Sequence, residues 1–215
     1  DYVVGVQMAT STAPISTIEG FQQATAEGTQ ALQRYLDQVQ AAGAFLARGI
    51  GVRVGNFSVM LRNNVLTGLP PLVMLDGRPW LYPSAYHPSS TSPASAVAVT
   101  LQSGEEKTSV DIRMQLIPAR RVSGRITGPD GPGAGLAVLL VAADPAVMRT
   151  TPASMFDTPQ ALADGAGNFV LFGVAPGAYL LRIVRPESSA TAPLLWALED
   201  VIVGADADVD GLQIS

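Results

Sequence analysis

The sequence predicts a mainly β protein built as tandem β-sandwiches. The first (1–117) is incomplete at its N-terminal side and carries a helical insertion, and the second (118–215) is complete. Three observations predict this. From residue 118 onward, short apolar or alternating runs recur between Gly/Pro-rich turns about every ten residues, the pattern of a sandwich or barrel. Residues 97–117 echo 197–214: Val99-Thr100-Leu101-Gln102-Ser103-Gly104 corresponds to Glu199-Asp200-Val201-Ile202-Val203-Gly204, and Ile112-Arg113-Met114 to Leu212-Gln213-Ile214. Residues from about 9 to 96 depart from that pattern and read partly as helix.

The elements follow in chain order. Tyr2-Val3-Val4 matches Tyr179-Leu180-Leu181, so the chain is expected to open partway through a repeat. A sheet lacking its earlier strands exposes unpaired backbone donors and acceptors. Tyr2, Val3, Val4 and Val6 therefore form the candidate assembly strand, for self-association or pairing with a neighbouring repeat. If such contacts run head to tail without closing, they make a filament.

Ser16-Thr17-Ile18-Glu19 has the form of a capping box, and Arg48-Gly49 that of a helix stop. Leu32, Tyr35, Leu36, Val39, Phe45 and Leu46 fall near helical spacing, which predicts a helix over 18–48 with a break at Gly28 or Gly43. Its outer face of Gln and Ala carries little charge, so it should pack against something. Val52-Arg53-Val54, Phe57 to Leu61, Pro71 to Leu75 and Trp80 to Tyr82 read as β.

Arg121 to Thr127 alternates and meets the turn Gly128-Pro129-Asp130-Gly131-Pro132-Gly133. Leu136 to Ala143 is a continuous apolar run, suited to a strand buried on both faces. Residues 144–162, with Pro145, Pro152 and Pro159, read as a loop, and so do 185–195. Phe169 to Phe172, Tyr179 to Val184, Leu198 to Val203 and the pair Leu212 and Ile214 complete the strands.

Composition excludes several classes of function. Charged residues are 14% of the 215 and the net charge is -5, with Lys107 the only lysine, so a basic footprint for nucleic acid is absent. There is no cysteine, which removes disulfides, thiolate chemistry and cysteine zinc sites. No run of about 18 apolar residues predicts a membrane span, and no basic-then-apolar leader opens the sequence, as in a mature exported chain or a truncated one.

Val122-Ser123-Gly124-Arg125-Ile126, Gly128-Pro129-Asp130-Gly131-Pro132, Asp164-Gly165-Ala166-Gly167-Asn168-Phe169 and Gly173-Val174-Ala175-Pro176-Gly177-Ala178-Tyr179 resemble the carboxypeptidase regulatory-like repeat. The resemblance covers 118–215 well, and 1–8 with 97–117 in part. It implies Ig-like or transthyretin-like β-sandwiches, related to collagen-adhesin B-type repeats and starch-binding-like folds, of the kind found in many copies in exported bacterial proteins. It thus implies export, to the surface, the extracellular space or the periplasm. A Lys-Asn isopeptide bond of the collagen-adhesin type cannot form within 118–215, which has no lysine. By their own chemistry, Gly167 and Gly177 suit positive φ, and Tyr179 should bury its ring while its hydroxyl bonds nearby backbone, as in a tyrosine corner.

Catalytic chemistry finds little support. His87, the only histidine, sits in the Pro/Ser-rich Ala85-Tyr86-His87-Pro88-Ser89-Ser90, and no G-x-S-x-G elbow is present. We therefore expect neither an enzyme nor a cofactor. Asp206, Asp208, Asp210 and Gly211 begin like a calcium loop, yet Glu106, Thr108 and Val110 stand at the equivalent places of the first repeat. An acidic turn is the simpler reading and calcium the weaker one.

Trp80, Tyr82 and Tyr86, with Trp196, are candidates for stacking on polysaccharide rings, against the alternative that they pack the fold. Asn56-Phe57-Ser58 fits a glycosylation sequon. The leading expectation is a non-catalytic structural module of an exported bacterial protein, and the alternative is a carbohydrate-binding accessory module.

Overall fold

The computed structural model describes residues 1–41, 51–61, 72–143, 158–185 and 195–215. Its first part holds strands β1 (Gly5–Val6) and β2 (Thr10–Pro14), helices α1 (Ile15–Glu27) and α2 (Thr29–Ala41), and strands β3 (Val52–Val54) and β4 (Phe57–Leu61). There follow β5 (Val73–Leu75), β6 (Arg78–Leu81), β7 (Ala85–Tyr86), β8 (Ile117–Pro118), β9 (Arg120–Gly128), β10 (Gly131–Pro132) and β11 (Ala137–Ala142). The chain ends with β12 (Gln160–Leu162), β13 (Asn168–Val174), β14 (Gly177–Arg185), β15 (Leu195–Val203) and β16 (Val209–Ile214). The described residues are mainly β.

The apolar run at 136–143 explains the layering. β11 lies inside a seven-stranded sheet of order β15-β14-β11-β12-β2-β4-β3. On one face of this sheet, Val138, Leu140, Leu181, Ile183, Val201 and Val203 meet Val122, Ile126, Phe169 and Leu171 of a second sheet, in which β9 lies between β13 and β16. Successive residues of a strand point to opposite faces. The other face of β11, with Ala137 and Leu139, packs with Ala13, Met60 and Leu162 under Ile18 of α1 and Val39 of α2. A strand with covered faces on both sides has no use for polar alternation, and its continuous apolar sequence follows.

The expected helix is thus two helices seated on the sheet. Gly28 divides them with φ +108°. Phe21 and Tyr35 meet edge-to-face at 6.3 Å, and the Tyr35 hydroxyl donates to the Thr17 carbonyl at 2.5 Å. The capping box does not form. Pro14 occupies the N-cap with no side-chain cap, because β2 runs straight into α1, and the Ile15 N–H donates instead to the Asn56 carbonyl at 2.9 Å. Gly43 and the expected stop at Arg48-Gly49 lie outside the described residues.

β2 is a strand the apolar pattern does not announce. Its Thr10-Ser11-Thr12 is buried, and each hydroxyl has a partner. Thr10 donates to the Phe172 carbonyl at 2.9 Å, Thr12 accepts from the Phe172 N–H at 3.3 Å, and Ser11 accepts from Gln160 Nε2 at 3.2 Å. Buried polar groups so paired avoid the cost of desolvation. β2 therefore joins one sheet by its backbone and the other by its side chains, at the bulge between Phe172 and Val174. The third sheet, β5-β6-β8, closes over Val59, Leu72, Leu81 and Ala119.

Other expectations fare unevenly. The sheet does not stop at the boundary expected between 117 and 118, since β2, β3 and β4 extend the same ladder as β11, β12, β14 and β15. Residues 100–116 form no strand, so the closing strands expected there are absent; Val99 makes only an isolated bridge to Tyr2. Within the expected loop at 144–162, Gln160–Leu162 is a strand parallel to β2, while 144–157 lies outside the described residues, as does 186–194 of the second loop.

Gly131 takes φ +116° in the β9–β10 hairpin and Gly167 takes +81°, as the turns require. Gly177 does not: it lies within β14, and the positive φ falls at Gly173 in the β13 bulge.

Candidate functional site

The two ends of the seven-stranded sheet are its chemically distinctive feature. β15 pairs with β14 along nine residues, from Gly177 opposite Val203 to Arg185 opposite Leu195, and is the terminal strand. Among the described residues nothing bonds its outer side. Val201 and Val203 turn into the sandwich core, so Leu198, Asp200 and Ile202 point to the opposite face. That is the helix-bearing face, because Leu198 is level with Arg182 and Leu139. Leu198 is 50% and Ile202 79% exposed. Glu199 and Asp200 are exposed at the strand's centre, and β15 has no basic residue.

The other end is β3, which among the described residues pairs only with β4. Its sequence is Val52-Arg53-Val54 and it has no acidic residue. Arg53 is exposed, its Nε donating to the Gly55 carbonyl at 3.1 Å. It stands opposite Ser58, two residues from Met60 of the helix-side cluster, and so faces the same side as Asp200.

The residues expected as an assembly strand are engaged within the chain. Tyr2 and Val99 exchange two backbone hydrogen bonds of 2.8 Å, and the Val4 carbonyl accepts from the His87 N–H at 2.9 Å. Gly5 and Val6 pair with Tyr86 and Ala85. The backbone of this segment therefore finds its partners in 85–99, while the side chains of Tyr2 (58%) and Val3 (52%) stay exposed. Among the described residues the unpaired edges of the largest sheet lie at β15 and β3 instead.

Asp208 and Asp210 turn to Arg121. Asp210 accepts from its Nε at 3.1 Å and its Nη2 at 2.8 Å, and also from the Ser123 hydroxyl at 2.6 Å. Asp208 accepts from the Arg121 N–H at 2.9 Å. The Arg121 hydrogen bonds, with that of Ser123, hold the Asp210 carboxyl below the usual carboxylate range. Asp206 is exposed beside them. This arrangement ties β16 to β9; it does not converge the three carboxylates on one point. Among the described residues no group of three or more His, Cys, Asp or Glu side chains is placed to hold a metal.

His87 lies in a loop, its Nδ1 hydrogen-bonded to the Asp111 carbonyl at 2.6 Å. Trp80 in β6 and Tyr82 just beyond it are half-buried, and the ring of Tyr86 rests over Gly5. The side chain of Trp196 lies outside the described set. A groove of about 300 Å³ runs elsewhere, between α1 and α2, lined by Gln23, Glu27, Arg34 and Tyr35 among others.

The expected tyrosine corner is present as geometry, and so is a turn closed by Asp164 that the sequence reading did not single out. The Tyr179 hydroxyl donates to the Ala175 carbonyl at 2.8 Å, and burial pushes its pKa up to about 12. Asp164 closes its turn by accepting from the Ala166 N–H, the Asn168 N–H and Asn168 Nδ2 at 2.9–3.1 Å. Burial alone would raise its pKa, but those bonds and Arg125 outweigh it and lower it.

The described residues define a mainly β protein with a helix pair on the largest sheet, and no helix among them is long and apolar enough to cross a membrane. No family model matches the chain, and no curated protein does. A solved structure from Pseudomonas aeruginosa, described as a "putative carbohydrate binding protein", is similar over 46% of this chain and 88% of its own, at 14% identity and a TM-score of 0.31. A likeness so slight transfers no ligand.

Proposed function

We propose that this chain is a non-catalytic structural module of an exported bacterial surface or extracellular protein, working by pairing of sheet edges. The observation that carries this is β15: nine residues long, terminal in its sheet, with Leu198 and Ile202 exposed. Native sheets ordinarily shorten, cover or bend such an edge, because its backbone groups recruit another strand. The resemblance of 118–215 to stacked repeats of exported proteins supports the setting, and the low charge of the chain supports contact.

Hydrogen exchange tests the reading. Amides of 195–203 should gain protection as protein concentration rises, and Ile202→Lys should abolish the gain. Exchange there that is independent of concentration would overturn it. The rival, a carbohydrate-binding module, draws on half-buried Trp80 and Tyr82. Glycan-array binding lost in Trp80→Ala would put it ahead.

A further inference from the structure

We infer that the basic β3 edge of one copy docks on the acidic β15 edge of a second copy, extending the seven-stranded sheet head to tail. This rests on the edge-pairing reading above and names its partner. Self-pairing of β15 is disfavoured by its charges: two such strands side by side would bring Glu199 and Asp200 against the same residues of the partner strand, and like charges facing across strands repel. The strand that suits β15 is short, apolar and carries a central cation. β3 has that composition.

Three features of the topology make the fit possible. First, strand direction reverses at every step from β15 to β3 except between β12 and β2, which are parallel. Five reversals leave β15 and β3 pointing in opposite directions. A copy added in the same orientation therefore sets its β3 antiparallel to β15, the stronger form of pairing. Second, Arg53 and Asp200 lie on the same face of the sheet. With Val52 opposite Val201 and Val54 opposite Glu199, Arg53 comes opposite Asp200. Third, Leu198 and Ile202 are then its diagonal neighbours on that face, and the arginine's methylene stem can cover both exposed side chains.

Among the described residues each copy offers one edge of each kind, so the contact does not close on itself and propagates. The strand twist of roughly 20–25° per step winds the ribbon. β3 has three residues, so each junction is short and association is weak, concentration-dependent and sensitive to salt.

Complementary charge reversal tests this, with assembly followed by light scattering on the full chain across a dilution series. Arg53→Glu alone and Asp200→Arg alone should each weaken association about tenfold or more, since each makes every junction like-charged. An equimolar mixture of the two variants should recover the native assembly. In the mixture the two variants alternate: at one junction both substituted side chains face each other with their signs exchanged, and at the next the unsubstituted Arg53 faces the unsubstituted Asp200. Circular dichroism of each variant checks its fold. If Ile202→Lys blocks assembly while Arg53→Glu does not, the β15 edge is used but its partner is not β3, and this inference fails while the reading above stands. If the native chain never associates and exchange at 195–203 is constant, both fail.

Discussion

Replacing Tyr179 with phenylalanine should weaken the protein at neutral pH and spare it in alkali. The hydroxyl donates to the Ala175 carbonyl at 2.8 Å, while the ring packs on the sandwich core. At about pH 8, Tyr179→Phe deletes one partly buried hydrogen bond and should cost about 1 kcal/mol. Raising the pH brings in a second effect. Burial lifts the phenol from 10.0 to about 12, so the folded chain must keep it neutral where the unfolded chain ionises freely. A raised pKa gives stability that is full below the unfolded value and lost as pH climbs through the folded one. Two pH units at about 1.36 kcal/mol each set a limit of ~2.7 kcal/mol, of which about half is lost by pH 11. Wild type should therefore lead by ~1 kcal/mol at about pH 8 and be level or slightly behind at about pH 11. Guanidinium unfolding at both pH values measures this, and Tyr35, whose pKa burial also raises, is common to both proteins and cancels. Equal losses in the two proteins between those pH values would mean that the Tyr179 hydroxyl lies in water and the corner is not formed.

Gly167 has φ +81° and its missing Cβ would run into the Ile126 carbonyl oxygen, so Gly167→Ala should cost about 2–4 kcal/mol, whereas Gly165→Ala, with open space around it, should be nearly neutral by the same unfolding assay. The lowered pKa of Asp210 gives stability present above the unfolded carboxylate value and lost as pH falls through the folded one. Because its ion pair with Arg121 is exposed, Asp210→Asn should remove only about 0.2–1 kcal/mol near neutrality and flatten the acid limb of stability below about pH 4.

Local chemistry was readable where a single residue's constraint decides the outcome. Gly167 and Tyr179 build the turn and corner their types demand, and the unbroken apolar run of β11 announced a strand covered on both sides. Long-range pairing was not readable. Thr10-Ser11-Thr12 has no apolar alternation because its burial is secured by hydroxyl partners far away in sequence, and the capping box at Ser16 to Glu19 does not form because the helix already begins at Ile15, with Pro14 as its N-cap. Val52-Arg53-Val54 and Leu198 to Val203 could be read as strands. That they end opposite sides of one sheet depends on the pairing order of seven strands, which no local pattern encodes.

The placement of β2 also bears on biosynthesis. Ser11 and Gln160 are 149 residues apart in sequence yet hydrogen-bonded in the interior. During translation β2 must wait for those 149 further residues to emerge before its parallel neighbour exists. The helices that follow it lack part of their seat for as long, so maturation of this sheet is a late event that depends on long-range closure rather than on early local nucleation.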